Sequence, residues 1–484
     1  MWESRTVKIG AGGGVRDRRK AAILAVCCLS VLITSIDLTI ANLAIPSIRT
    51  GLNATAAHAQ WVIAIYSLGV ASLLLLGGAA GDRFGRRRIL QIGMSIFMLG
   101  SLLCGLAPTI DILIAARLVQ AVGGSMMNPV ALAIISQVYV VPAERARAIG
   151  IWGAVFGAAL ALGPVVGGLL IDLLGWRSVF LINLPIGAVA IAACAILVPE
   201  SRSTTFRGTD PIGQLLAAGS LFGLVFVLIE SPGRGWTHPS IMVIAAVTVV
   251  VFAGFLHYES RHVDPFIDLR FFRSIPFAAA ALTGLCVFIV WGAFLFMMSI
   301  YLQGWLGYSA IYAGLLLLPV AVAVLVFSPV SGRLVGRFGN RPSLLIAGLM
   351  TTVMSILLVF LTPTTPLWVL VPIFTSVGIT FGMVTVPINY AAVSGMPQDR
   401  AGAAAGIAST SKQVGMSLGV ALSGVFASGA LSPPAGDFTK SGDPLWLFTL
   451  ALGLVIGALG IISTSPRAMR SADRLVPLLT GETR

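Results

Sequence analysis

The chain has 484 residues, 57% of them hydrophobic and 10% charged, with a mean hydropathy of +0.97 and 54 glycines. That composition excludes an ordinary soluble enzyme, because a soluble domain carries roughly 25% charged residues to cover its surface. The formal net charge of +13 would point to nucleic acid in a soluble protein, so its meaning depends on where the charges lie.

Apolar runs of about 18 to 25 residues are long enough to cross a hydrocarbon core of about 30 Å as helices. The sequence predicts fourteen, and hence an all-α polytopic membrane protein. After an N-terminal tail (1–20), spans at 21–46, 58–80, 89–107, 111–138, 146–171 and 178–198 form a first set of six, residues 21–198. Two further spans, 211–230 and 239–257, fall in a linker covering 199–275. Spans at 276–301, 308–331, 343–361, 367–392, 402–430 and 445–464 form a second set, 276–464, before a C-terminal tail (465–484). The first run follows the basic stretch Arg16 to Lys20, but its 26 residues exceed the core of about 7 to 15 expected of a signal peptide, so it reads as a span.

The N-terminal tail, the alternate loops beginning with Arg83 to Arg88, and the C-terminal tail together hold 25 of the 31 Lys and Arg residues. The opposite loops hold four: Arg49, Arg177, Arg234 and Lys440. By the excess of basic residues on the inner side, both termini are expected in the cytoplasm, and the basic charge is a topology signal.

An internal repeat divides the chain. Gly78-Ala-Ala-Gly-Asp82-Arg83-Phe84-Gly85-Arg86-Arg87 follows the second span, and Gly332-Arg-Leu-Val-Gly336-Arg337-Phe338-Gly339-Asn340-Arg341 follows the tenth, 254 residues later. Pro142-Ala-Glu144-Arg145 is echoed by Pro397-Gln-Asp399-Arg400, and Gly124 with Pro129 by Gly382 with Pro387. A parallel repeat of six spans predicts two six-helix bundles facing each other across a central cavity, with two extra helices between them.

On these residues the sequence resembles the major facilitator superfamily, and within it the fourteen-helix drug/proton antiporter branch. Gly78 to Leu90 is similar to the superfamily's signature loop. Arg117-Leu-Val-Gln120-Ala-Val-Gly123 resembles the proton-linked motif of the fourth helix, with Ala121 where relatives usually have glycine. Gly163-Pro164-Val-Val-Gly167-Gly168 is similar to the fifth-helix motif of exporters. Asp37-Leu-Thr39-Ile-Ala-Asn42-Leu-Ala-Ile-Pro46, and Trp176-Arg177 with Asn183-Leu-Pro185-Ile-Gly187, resemble segments that mark the fourteen-helix branch. The resemblance implies a transporter of the cytoplasmic membrane that exchanges protons for drugs or toxic compounds and does not act as an enzyme.

Only three ionisable Asp, Glu, Lys or Arg side chains lie deep in the spans: Asp37, Arg117 and Lys412. Intramembrane charge is expensive and marks function by default. At about 1.5 Å per residue, Asp37 and Arg117 lie at similar depths in the outer half, where they are placed to pair. Asp37 is the candidate proton carrier with Arg117 as its partner; a static ion pair tying the first and fourth helices is the alternative. Lys412 falls close to the midplane, too deep to snorkel, and is a candidate for substrate contact or for compensating Asp37. In the fifth span Gly153 with Gly157, and Gly163 with Gly167, place small residues four apart for close packing, while Pro164 invites a bend. Gly78, Asp82, Arg83, Gly85, Arg86, Arg87, Gly163, Pro164, Gly167 and Gly168 are read as gating residues. Asp82 is suited to accept hydrogen bonds at a helix N-terminus, its arginines to bridge helix ends, and the loop to stabilise an outward-facing state.

The family analogy places Tyr66, Gln120, Asn128, Trp152, Phe156, Trp291, Phe294, Met298, Asn389, Tyr390, Lys412 and Gln413 on the cavity, each aromatic or Met being open equally to packing or lipid contact. An aromatic and Met-rich cavity suits varied lipophilic compounds. The five cysteines lie in apolar spans and show no zinc or disulfide pattern. Gly415-Met-Ser417-Leu-Gly419 fits a nucleophile-elbow formula but lies inside a helix. No Walker sequence accompanies the spans, which argues against self-contained ATP-driven transport. No catalytic residues, cofactor or metal are expected. The expected partners are a small-molecule substrate, protons and the lipid bilayer, without nucleic acid, for a monomer. Narrow export of one metabolite or self-made antibiotic, a membrane-embedded enzyme and a non-transporting sensor are the alternatives.

Overall fold

The computed structural model describes residues 12–202, 210–262, 265–362, 364–394, 396, 401–431 and 438–480. The expected echo at Pro397 to Arg400 lies outside the described residues. Among the described residues all regular structure is helical. The first six spans are α1 (Gly12–Gly51), α2 (Ala56–Phe84), α3 (Arg86–Leu106), α4 (Ile110–Val138), α5 (Pro142–Leu174), and α6 (Ser178–Leu181) with α7 (Asn183–Leu197). The inserted pair is α8 (Pro211–Arg234) and α9 (Pro239–Arg261). The second set is α10 (Ile275–Ser299), α11 (Ala310–Leu316) with α12 (Leu318–Phe338), α13 (Asn340–Val359), α14 (Leu367–Val393), α15 (Ala401–Phe426) and α16 (Phe438–Ile462). A further helix, α17 (Pro466–Thr480), lies within the stretch that the sequence predicts as a C-terminal tail.

Helix ends follow local chemistry. Thr55 and His58 cap α2 reciprocally, and Asp210 accepts from the Gly213 amide at the start of α8, each satisfying donors that no helical carbonyl can reach. Pro142, Pro211, Pro239 and Pro276 sit in first turns, where a missing N–H costs nothing. Gly85 (φ +111°) and Gly339 (φ +74°) turn the chain at the two copies of the repeated loop, so the repeat extends to the backbone.

Thirteen spans among the described residues are long and apolar enough to cross a membrane, α6 with α7 and α11 with α12 each counting as one. The fourteenth, α15, is 26 residues long but rich in Ala, Gly, Ser and Thr and carries Lys412 and Gln413. Its environment explains that composition: it packs on α10 and α2 rather than facing lipid. Small residues allow that proximity. A Cβ on Gly415 or Gly419 would strike the backbone of α10 at Leu285 or Ile289. In the first half α3 and α4 approach the same way, through Gly100 and Gly123. The inserted α8 is fastened to α2 by Gln214 Nε2 donating to Ser72 O (2.5 Å) and Trp61 Nε1 donating to Glu230 (2.9 Å), whereas α9 is mostly exposed.

The two halves meet at the end of the bundle away from the termini, here the far end. There Gln60 Nε2 donates to Val420 O (2.6 Å), Ser417 Oγ to Ala64 O (3.0 Å) and Gln303 Nε2 to Leu43 O (2.9 Å). The Asp172 carboxylate of α5 accepts from the amides of Ala310 (3.2 Å) and Ile311 (2.9 Å) at the start of α11. Toward the terminal end α5 draws away from the second half, a Cβ on Gly150 or Gly153 having no described atom within 4 Å, while α2 and α15 stay close as far as Leu75, which a Cβ on Gly406 would strike.

Candidate functional site

The buried charges are gathered inside the first half. Arg117 Nη1 donates to Asp37 Oδ2 (2.5 Å) and to Gln120 Oε1 (2.6 Å), and Arg117 Nε to Val62 O (3.1 Å). Gln120 Nε2 donates to Asp37 Oδ1 (2.7 Å) and to Ser101 Oγ (2.8 Å). Asn183 Nδ2 reaches Asp37 Oδ1 (3.3 Å) and Ser101 Oγ (3.2 Å). The guanidinium lies 4.4 Å from the Tyr66 ring centre and 5.7 Å from that of Phe180, within cation–π range. Five helices, α1, α2, α3, α4 and α7, thus converge on one carboxylate. Arg117 is fully buried and Asp37 is 1% exposed. One polar valence on each side is left over, since Arg117 Nη2 and Asn183 Oδ1 have no partner among the described residues.

Equal depth in the sequence anticipates the meeting of Asp37 and Arg117. Gln120, expected on the cavity, is fully buried and bridges Asp37 to Ser101. Tyr66 likewise turns inward beneath Arg117, with its ring edge against Phe97. Ser101 and Asn183 were not singled out as site residues, because neutral residues on separate helices carry no signal until folding brings them together.

The space between the halves opens at the terminal end. Lys412 Nζ of α15 donates to Asn389 Oδ1 of α14 (2.9 Å); Lys412, Gln413, Asn128, Trp152 and Phe156 are half-buried, while Asn389 and Tyr390 are exposed. Deeper in, Trp291 lines a small apolar crevice between the halves with Gly157, Leu160, Pro164, Leu295 and Phe381. The indole N–H groups of both Trp152 and Trp291 lack a partner among the described residues. Phe294 and Met298, two more expected cavity residues, are fully buried, and Phe294 packs edge-on against Phe374 (5.6 Å between centres).

The fifth-helix glycines divide between two tasks. A Cβ on Gly163 would strike Thr39, and one on Gly167 would press on Ile40, so both hold α5 against α1 beside Asp37. Gly168 faces the other half, where a Cβ would lie 2.5 Å from Ala310 O, and Gly314 of α11 meets the Pro164 carbonyl in return. The pair expected to pack farther up, Gly153 and Gly157, makes no such approach: Gly153 faces open space and Gly157 has only Val324 at 3.7 Å. The parting of α5 from the second half toward the terminal end is the reason.

In the loop between α2 and α3, Asp82 accepts from Arg86 Nη2 (2.8 Å) and Nε (3.1 Å), and Arg86 Nη1 reaches Gln137 of α4 (3.2 Å), bridging two helix ends. The helix N-terminus for which Asp82 was suited is served instead by Glu200. Its carboxylate accepts from the amides of Arg87 (3.1 Å) and Arg88 (3.2 Å) in the first turn of α3. A Cβ on Gly85 would strike that carboxylate, which gives this glycine a second reason beyond its φ. Gly78 sits against Pro129 of α4, and the Arg83 guanidinium covers the Phe84 ring at 5.2 Å.

Known proteins supply the remaining evidence. The profile of the Major Facilitator Superfamily matches residues 27–420. The chain is 36% identical over 417 residues to the multidrug resistance protein Stp of Mycobacterium tuberculosis, an alignment covering 86% of this chain and 77% of the relative. It is 34% identical over 413 residues to the tetracenomycin C resistance and export protein of Streptomyces glaucescens, covering 85% and 76%. Identity to the puromycin resistance protein of Streptomyces alboniger is 33% over 455 residues, covering 92% and 90%. Among solved structures, one reported for substrate recognition in proton dependent oligopeptide transporters superposes with a TM-score of 0.64, covering 94% of this chain and 100% of that chain. Its 15% identity makes this a likeness of fold. With a family match across most of its length and relatives above 30% identity over their greater part, this chain is a multi-pass membrane transporter, not an enzyme, and belongs to the Major Facilitator Superfamily.

Proposed function

We propose that the protein is a proton-coupled antiporter that exports lipophilic drugs or toxic compounds across the cytoplasmic membrane by alternating access, as a monomer with both termini in the cytoplasm. The observation that carries this reading is the pairing of a far-end seam closed between the halves with a buried Asp37–Arg117 pair lying against the helices that form it. With the basic loops inside, the cavity beside Lys412 faces the cytoplasm and the seam faces out, an inward-open arrangement. Resistance and export in the relatives' names support the direction of transport.

In this reading substrate enters from the cytoplasm and rests between the halves. The unpartnered indole N–H groups of Trp152 and Trp291 and the Lys412 ammonium offer donors, which suits an apolar compound bearing oxygen acceptors. Opening the seam parts α5 from the start of α11, and α5 in turn packs on Thr39 and Ile40 of α1, next to Asp37. A proton taken up there from outside neutralises the carboxylate and leaves Arg117 without its counter-charge, so the network must rearrange. Release of the proton inward restores it.

Two second readings have observations behind them. Several relatives are named for one compound each, tetracenomycin C and puromycin among them, which favours a narrow exporter of one metabolite or self-made antibiotic. The 1% exposure of Asp37 favours a purely structural ion pair. Proteoliposomes with an imposed pH gradient separate the last from the proposal. Asp37→Asn is expected to fold but to lose gradient-driven transport. Asp37→Asn combined with Arg117→Gln removes both charges; a structural pair predicts that this double variant regains gradient-driven transport, and a proton carrier predicts that it stays uncoupled.

A further inference from the structure

We propose that α17 and the segment before α10 form a binding site for the headgroup of an anionic phospholipid. The sequence of α17 places Arg467, Arg470 and Arg474 three and four residues apart, on one face of a helix. The opposite face carries Ala468, Ala472 and Leu475, all buried. Leu475 closes a small apolar cluster with Phe271 just before α10, Phe277 in the first turn of α10, and Ala404 and Ile407 of α15. The Ile275 amide donates to Ser471 Oγ (2.9 Å), which fixes the helix against the N-terminus of α10. Docked in this way, α17 brings its three arginines beside a fourth, Arg273.

The result is a cleft of about 530 Å³ lined by Arg273, Ile275, Arg467, Arg470, Ser471, Arg474 and Leu475. Among the described residues no carboxylate lines it. Among the described side chains none of the four arginines is held in an ion pair, and only Arg470 Nε is occupied, by its own helix at Pro466 O (3.2 Å). Four guanidinium groups around one cleft repel one another, and a phosphate-bearing anion relieves that repulsion while accepting paired N–H donors from the planar forks.

Position selects a lipid over a soluble phosphate compound. The membrane span of α10 starts at Ile275, inside the cleft lining, and that of α16 ends at Ile462, four residues before α17 begins. The cleft therefore lies at the level where two helices enter the bilayer, which is where headgroups sit. Phe272 and Met469, each adjacent to one of these arginines, are 43% and 60% exposed and suited to the acyl boundary. Basic pockets at membrane-entry level are a recognised chemistry for anionic lipid.

Native mass spectrometry of the detergent-purified full-length protein tests the assignment by titration with dioleoyl phosphatidylglycerol, dioleoyl phosphatidylcholine or inorganic phosphate. Saturable retention of phosphatidylglycerol is expected, at least fivefold above phosphatidylcholine. Replacing Arg467, Arg470 and Arg474 together by Gln should lower that retention at least fivefold, replacing them by Lys should lower it less, and replacing Arg18, Arg19 and Arg261 by Gln, an equal loss of charge elsewhere on the terminal face, should leave it within twofold. Equal retention by the two Gln triple variants overturns the proposal. So does full displacement of the lipid by millimolar inorganic phosphate, which identifies a soluble anion as the ligand. Neither readout involves transport, so a failure here leaves the antiport mechanism untouched.

Discussion

A carboxylate 1% exposed inside a membrane protein is tolerable because of the number of groups aimed at it. Asp37 accepts from Arg117, Gln120 and Asn183, and Ser101 ties the last two together. Removing one member of a buried pair leaves the other charge uncompensated, at a cost of about 3–5 kcal/mol, whereas replacing both members is often close to neutral. Arg117→Ala is accordingly expected to lower the thermal unfolding midpoint of the purified protein markedly, and Asp37→Ala with Arg117→Ala to recover most of that loss. Additive losses in the double variant would contradict the coupling described here. The two charges were legible in the sequence, since so few ionisable residues lie deep in apolar spans and helical rise sets them level. Ser101, Asn183 and Glu200 were not, and Gln120 was assigned to the cavity, because polar uncharged side chains and loop acids are common in such chains and acquire their partners only through packing.

At the scale of the helix, hydropathy made most elements readable, and departures have local causes. The tenth span breaks at Leu317 and the sixth at Ile182, each into a short helix followed by a longer one, without loss of apolar character. Helix α17 gives no signal in the sequence because its apolar face is a narrow stripe of Ala and Leu among arginines, too polar overall to resemble a span. The fifth-helix motif was legible as close packing, but only the contacts show that Gly163 and Gly167 serve α1 while Gly168 serves the opposite half. A side chain at position 168 meets backbone atoms of Ala310 and Ile311, which have no rotamer to yield. Gly168→Leu should therefore keep the seam from closing and reduce transport by roughly tenfold or more, a loss of about 1.4 kcal/mol per decade in the affected equilibrium. Gly254→Leu, on the exposed face of α9 where nothing lies within 4 Å, should transport like the parent protein.

For the molecule as a whole, the internal repeat has a mechanical consequence. Two similar halves are joined at the far end and part along α5 at the terminal end, so a rocking motion about the bound substrate exchanges which end is sealed. The seam is built mainly from side-chain amides and hydroxyls donating to backbone carbonyls, as at Gln60 with Val420 and Ser417 with Ala64. Such bonds are modest individually, about 0.5–1.5 kcal/mol each, which suits an interface that must break once in every cycle. Cysteines placed at positions 64 and 417 in a background without the native thiols should allow the halves to be cross-linked at the far end. With the link formed, transport is expected to stop and to return on reduction, while a cysteine at Asn389, exposed in this arrangement, should stay reactive throughout. Continued transport across a linked seam would mean that the halves do not part there, and the alternation would have to be sought along another face of the bundle.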